Sequence, residues 1–176
     1  NTGGQASKAT PLGAIAKFAT AGKNTGKKDL GAVARQYGNV YVAQVAIGGS
    51  DIQTVKALME ADAWDGPSLV IAYSTCIAHG IDMTTSMTHQ KSAVKSGYWP
   101  LYRYNPKLVE SGKNPFTLDS KKLRKEVSAF LKREGRFLQL KKAHPEVADV
   151  LFAKMNTDVH HRMEHLSEKA AGYKAF

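Results

Sequence analysis

The sequence predicts an α/β domain built as a three-layer, mostly parallel sheet, with a helical C-terminal extension. Three observations carry that reading. Residues 40–47 (VYVAQVAI) and 67–73 (PSLVIAY) are short, β-branched and nearly continuous in apolar character, as strands buried on both faces are. Between them Ile52, Val55, Leu58 and Met59 recur with the period of an amphipathic helix. Strand, helix and strand over so short a distance form a βαβ unit, whose crossover requires parallel neighbours with helices on the faces. From residue 121 onward the chain is charged and helical in period.

In order along the chain, residues 9–37 mix small apolar residues with scattered lysines and predict two short helices joined by a Gly/Lys-rich turn at 22–28. Pro11 suits the first turn of the earlier helix, and Asp29 suits the cap of the later one. The first strand comes next and ends at Gly48-Gly49, after which Ser50 or Asp51 caps a helix over 52–63. The second strand delivers Ser74-Thr75-Cys76 to the carboxyl edge of the sheet, where open α/β sheets bind ligands. A helix is expected over 84–96 and an aromatic strand or extended segment over 98–104 (YWPLYRY). The domain reading is therefore an α/β body over 1–105, an irregular linker over 106–120 and a helical extension over 121–176, with helices at 121–133 and 146–169.

The composition is that of a globular protein, with 176 residues, 43% hydrophobic and 23% charged. No apolar run reaches the roughly 20 residues that span a bilayer, and no signal h-region opens the chain, so a soluble, cytoplasmic protein with no membrane partner is expected. A single cysteine, Cys76, excludes an intrachain disulfide framework and a complete cysteine cage for zinc or iron–sulfur. The chain opens on Asn-Thr-Gly-Gly-Gln without a methionine, a turn sequence that more naturally comes after a strand, and that boundary reads as a cut. The formal charge of +10 favours acidic partners, although a missing acidic portion would change it.

Four constellations bear on chemistry. The GKNTGKK segment at 22–28 has three residues between its glycines and Lys28 after Lys27, against the four residues and Lys-Ser/Thr of a Walker loop, and is read as a turn. His161, Glu164 and His165 form H-x-x-E-H, the pattern of a zinc peptidase, against the plainer reading of a solvated helix face. The basic stretch 121–136 raises a nucleic-acid-binding module, yet Leu123, Val127, Phe130 and Leu131 fall at helical spacing and form a packing face, so no nucleic-acid partner is expected. Cys76 is either a small buried hydrophobe or a ligand standing at the sheet's binding edge.

Five stretches settle the order of these readings: NTGGQASKATPLGA at 1–14, YGNVYVAQVAIG at 37–48, GPSLVIAYSTCIAHG at 66–80, KSGYWPLYRYNP at 95–106 and GKNPFTLDS at 112–120. In this order and spacing they resemble the C-terminal portion of pyruvate:ferredoxin/flavodoxin oxidoreductases. The resemblance implies half of a thiamine diphosphate-binding fold plus tail. The parent reaction it implies is oxidative decarboxylation of pyruvate with coenzyme A to acetyl-CoA and carbon dioxide, electrons passing through 4Fe-4S clusters to ferredoxin or flavodoxin. The implied cofactors are thiamine diphosphate, Mg2+ and a 4Fe-4S cluster, and the implied partners are the rest of the parent polypeptide and a second copy in a homodimer. Asn1 matches the family amide beside the thiazolium and substrate, a catalytic and cofactor-binding role; Cys76 matches the remote fourth ligand of the cluster nearest the thiamine. The family's Gly-Asp-Gly motif and the three other cysteines of that cluster are not in this chain, so the chain alone is expected to be inactive.

Overall fold

The computed structural model describes residues 2–120 and 122–172. They form a four-stranded sheet in the order β2-β1-β3-β4, where β1 is Tyr41–Val45, β2 Ser68–Ala72, β3 Tyr102–Tyr104 and β4 Phe116–Leu118. The helices are α1 (Leu30–Arg35), α2 (Asp51–Asp62), α3 (Ser86–Lys95), α4 (Lys107–Glu110), α5 (Val127–Leu131), α6 (Gly135–Ala143) and α7 (Pro145–Ala171).

The α/β class and the βαβ unit stand: β1 and β2 pair parallel, Tyr41 opposite Ser68 and Val45 opposite Ala72. The sheet is mixed rather than mostly parallel, because β3 runs antiparallel to β1 and β4 antiparallel to β3. The cause lies in the route of the chain after β2. A further parallel strand needs a crossover along a sheet face, but α3 lies across the carboxyl end of β1, where Gln90 Oε1 accepts from Gly48 N at 3.0 Å. The chain is thus handed to the other edge of β1 and runs back. Residues 106–120, read as irregular, contain α4 and the edge strand β4.

Side chains alternate across the pleat. Tyr41, Ala43 and Val45 pack with Ala57 of α2, while Val42 and Tyr102 pack on the opposite face with Ala34 of α1 and with Met163 and Leu166 of α7. Capping agrees with the sequence: Asp29 accepts from Ala32 N at 2.8 Å at the start of α1, and Ser50 from Gln53 N at 3.2 Å at the start of α2. Two local expectations fail. Residues 9–29 form no helix; Gly13 and Gly22 take φ of 74° and 80°, and the segment is held by crossed backbone bonds, Gly13 N to Lys23 O and Lys23 N to Ala14 O. The apolar stripe of α2 faces outward, with Ile52 79%, Val55 56% and Met59 67% exposed. The sheet side of that helix is taken by Ala57 and Gln53, the latter donating to Asp119 Oδ2 at 3.0 Å, which lets the helix lie close on β1.

The helical tail shares the body's core. One cluster unites Leu12, Ala14 and Trp99 with Phe130, Phe137 and Leu140 and with Leu151 and Met155 of α7. The long α7, about 40 Å by its length, is therefore packed along the body through its inner stripe.

Candidate functional site

The site grows from the end of β2. Tyr73 N still bonds Val45 O at 2.9 Å, continuing the parallel ladder; then Ser74, Thr75 and Cys76 leave the sheet at its carboxyl edge. Thr75 is tied by its hydroxyl to the Ser86 hydroxyl at the start of α3. Cys76 is extended, with φ −142° and ψ 140°, and caps a single 3-10 turn, Ile77–His79. His79 N donates to Cys76 O at 3.0 Å. The thiol is free and half-buried.

The turn ends at Gly80, whose φ of 69° is left-handed. Its carbonyl accepts from Gly135 N at 3.0 Å, and a Cβ on Gly80 would stand 2.7 Å from Gly135 Cα. Backbone thus lies on backbone where the cysteine loop meets α6, a contact two glycines permit.

Beneath the loop is a buried polar network. Glu134, 0% exposed, accepts from His89 Nε2 at 2.8 Å through Oε1 and from Arg136 Nε through Oε2. Tyr73 Oη donates to Oε1 at 3.3 Å, and Arg136 donates onward to Tyr98 Oη at 3.3 Å. Burial pushes the Glu134 carboxyl up, but the His89 bond and the Arg136 charge outweigh it and hold the group below the usual carboxylate range. An ionised carboxylate only accepts, so His89 carries its proton on Nε2. Burial, then the Arg136 charge, lower His79 to about 4, and its Nδ1 is buried with no partner among the described residues. The loop is thereby fixed at Thr75, at Gly80 and along its underside.

This arrangement holds the backbone that carries the thiol in a set place. The described residues contain no group of three or more His, Cys, Asp or Glu side chains able to hold a metal. Cys76 is therefore not part of a metal cage built from the described residues. Asn1, the other sequence-derived site residue, lies outside the described residues. His161, Glu164 and His165 are all exposed on α7, whose inner face is Leu151, Met155, Val159 and Met163. Lys23 of the Gly/Lys turn donates to the carbonyls of Thr10, Lys8 and Gly26, at 2.7, 3.3 and 3.4 Å, and so holds its own loop rather than a phosphate. In the basic stretch Val127, Phe130 and Leu131 are buried, the packing face that their spacing predicts.

Sequence reasoning missed Glu134, His89, Arg136 and His79. The stretch around Glu134 (KREGR) looks solvated by composition; its one available signal was Gly135, a helix breaker inside a helical charged run.

No protein-family model matches the chain. It is similar to a pyruvate:ferredoxin oxidoreductase of Moorella thermoacetica, 56% identical over 172 residues, covering 98% of this chain and 15% of that protein. A pyruvate-flavodoxin oxidoreductase of Nostoc sp. is 56% identical over 164 residues, covering 93% of this chain and 14% of its own. A pyruvate dehydrogenase [NADP(+)] of Cryptosporidium parvum is 49% identical over 178 residues, covering 96% of this chain and 9% of its own. The chain therefore spans about one seventh or less of the length of these curated relatives.

Proposed function

The chain belongs, over the segment it spans, to the family of the pyruvate:ferredoxin and pyruvate-flavodoxin oxidoreductases, and from that premise we propose that the polypeptide carrying it oxidises pyruvate with coenzyme A to acetyl-CoA and carbon dioxide. The electrons released pass to ferredoxin or flavodoxin. In this reading thiamine diphosphate with Mg2+ supplies the carbanion chemistry and a 4Fe-4S cluster accepts electrons singly. Both groups are held mainly by residues outside this chain.

The chain's own contribution is positional. Cys76 gives one thiolate to the cluster from the carboxyl edge of the sheet, and the half-buried, free thiol on a loop tied at both ends carries this assignment. A preset thiolate loses little freedom on ligation, which favours a stable fourth bond. Asn1 supplies an amide donor toward the substrate oxygen on which charge develops. The Glu134 network packs beneath the loop and supports it.

The test is Cys76→Ser in the parent polypeptide, with iron content, single-turnover carbon dioxide release and acceptor reduction measured together. Loss of iron and of acceptor reduction, with carbon dioxide release retained, supports the assignment. Wild-type iron content and acceptor reduction would make Cys76 a core residue only. The 176-residue chain alone is expected to bind neither thiamine diphosphate nor a cluster, as calorimetry with Mg2+ and iron reconstitution would report.

A further inference from the structure

A cavity of about 270 Å³ lies on the other face of the sheet, between the 26–30 segment and the inner side of α7. Its walls are apolar over much of their extent, with Leu12, Trp99, Met155 and Val159 lining it. Two buried hydrogen-bond donors also belong to residues that line it. Arg162 Nε and Tyr102 Oη are buried and have no partner among the described residues. Lys27, a solvent-exposed residue at the cavity's rim, places Nζ 5.3 Å from the centre of the Trp99 ring.

Buried donors without acceptors are uncommon because each carries a desolvation cost. Arg162 Nε and Tyr102 Oη are two such donors in one cavity, and neither reaches the other or any acceptor among the described residues, while burial keeps the Tyr102 hydroxyl protonated up to about 12. The Lys27 ammonium is lowered by burial first and by the Arg162 charge next, so the two cations feel one another across the space. An acceptor that carries negative charge relieves both.

Charge and size narrow its class. Asp29 and Asp158 also line the cavity and both raise Arg162, opposing the effect of its burial. Against Lys27, Lys28 and Arg162, which all line the cavity, the two carboxylates leave one positive charge uncompensated, room for one negative charge rather than two. The other arm of Arg162 is engaged, donating to Gly97 O at 2.8 Å and Tyr98 O at 3.0 Å, so Nε–H is the direction left open. A water occupies roughly 30 Å³, so the cavity of about 270 Å³ has room for about nine water-sized groups and is too small for a nucleotide or coenzyme A.

We propose that this cavity binds a small monocarboxylate with a short apolar chain, its carboxylate meeting Arg162 Nε, Tyr102 Oη and Lys27 Nζ and its chain lying against Trp99, Met155 and Val159. The site is separate from the Cys76 loop and independent of the pyruvate-oxidising reading.

The test titrates the parent polypeptide with butyrate and, separately, with inorganic phosphate by calorimetry, for the wild type, Arg162→Met and Tyr102→Phe. Butyrate is expected to bind one per chain, at least tenfold more weakly to Arg162→Met and severalfold more weakly to Tyr102→Phe, with phosphate weaker throughout. Should Arg162→Met fail to fold, Tyr102→Phe, which removes only a hydroxyl, decides. Equal butyrate affinity in wild type and folded variants overturns the proposal, as does phosphate binding more tightly than butyrate. Crystals soaked in butyrate that show only ordered water in the cavity overturn it as well.

Discussion

Glu134 Oε1 lies 2.8 Å from His89 Nε2, with the two side chains 0% and 1% exposed, so a carboxylate of the tail and an imidazole of α3 form a pair out of contact with water. Everything that fixes the cysteine loop from below passes through this pair.

Removing the buried Glu134 carboxylate leaves the Arg136 guanidinium uncompensated and costs about 3–5 kcal/mol. Glu134→Ala is expected to lower stability by that order in urea unfolding, and Glu134→Gln, which keeps an acceptor for His89, by less. Because the carboxyl is held below its ordinary value of 4.5, its contribution is complete above that value and is lost as the pH falls through the lower folded value. An unfolding free energy unchanged by Glu134→Ala would mean the pair contributes nothing.

His79 gives a separate acid signature. Its folded value, about 4, lies below the ordinary 6.5, so the unfolded chain binds the proton more readily. The contribution is complete above 6.5 and is lost progressively between 6.5 and 4 as the pH falls. Stability measured across this window should decline in the wild type and decline less in His79→Gln. Identical slopes in the two proteins would count against the burial of this ring.

Gly80→Ala forces a left-handed residue to carry a Cβ, at about 1–2 kcal/mol, and drives that Cβ to 2.7 Å from Gly135 Cα. Gly135→Ala meets Gly80 Cα at 3.1 Å, a milder contact. The first should destabilise more than the second and should free the loop, seen as faster thiol labelling at Cys76 by peptide mapping. Unaltered labelling in Gly80→Ala would show that the contact does not hold the loop.

On the α2 face Arg103 donates to both oxygens of Asp119, at 3.0 and 2.9 Å, and to Glu60 Oε1. Arg103→Met leaves two carboxylates facing each other, with an expected loss of about 3–5 kcal/mol. Arg103→Lys is expected to recover only part of it, since an ammonium cannot reproduce the bidentate fork. Full recovery in denaturant unfolding by the lysine variant would refute the role of that geometry.

How far the fold and the site are legible in the sequence depends on the kind of signal each residue carries. The strands at 41–45 and 68–72 and the helix between them were legible because β-branched runs and helical spacing report directly on local backbone preference. The packing face of Val127, Phe130 and Leu131 was legible for the same reason. Strand direction at β3 was not, since the route of α3 across the end of β1 is a tertiary fact. Nor was the side of α2 that faces the sheet, because Ala57 and Gln53 win their place by being able to lie close, not by being most apolar. The position of Cys76 just after a strand was legible in the same way as the strands themselves. Glu134 was not, for a buried glutamate among lysines and arginines looks like any other charge in a row until the chain folds back on it.

The join between Gly80 and Gly135 also sets an order of events during synthesis. His89 and Glu134 are 45 residues apart, and a ribosome adds roughly 5–20 residues per second. For a span of seconds, the strand and its cysteine are therefore outside the exit tunnel while the segment that seats them is still being made. During that interval the loop that carries Cys76 is unseated, and it is held in place only after translation has passed the start of α6.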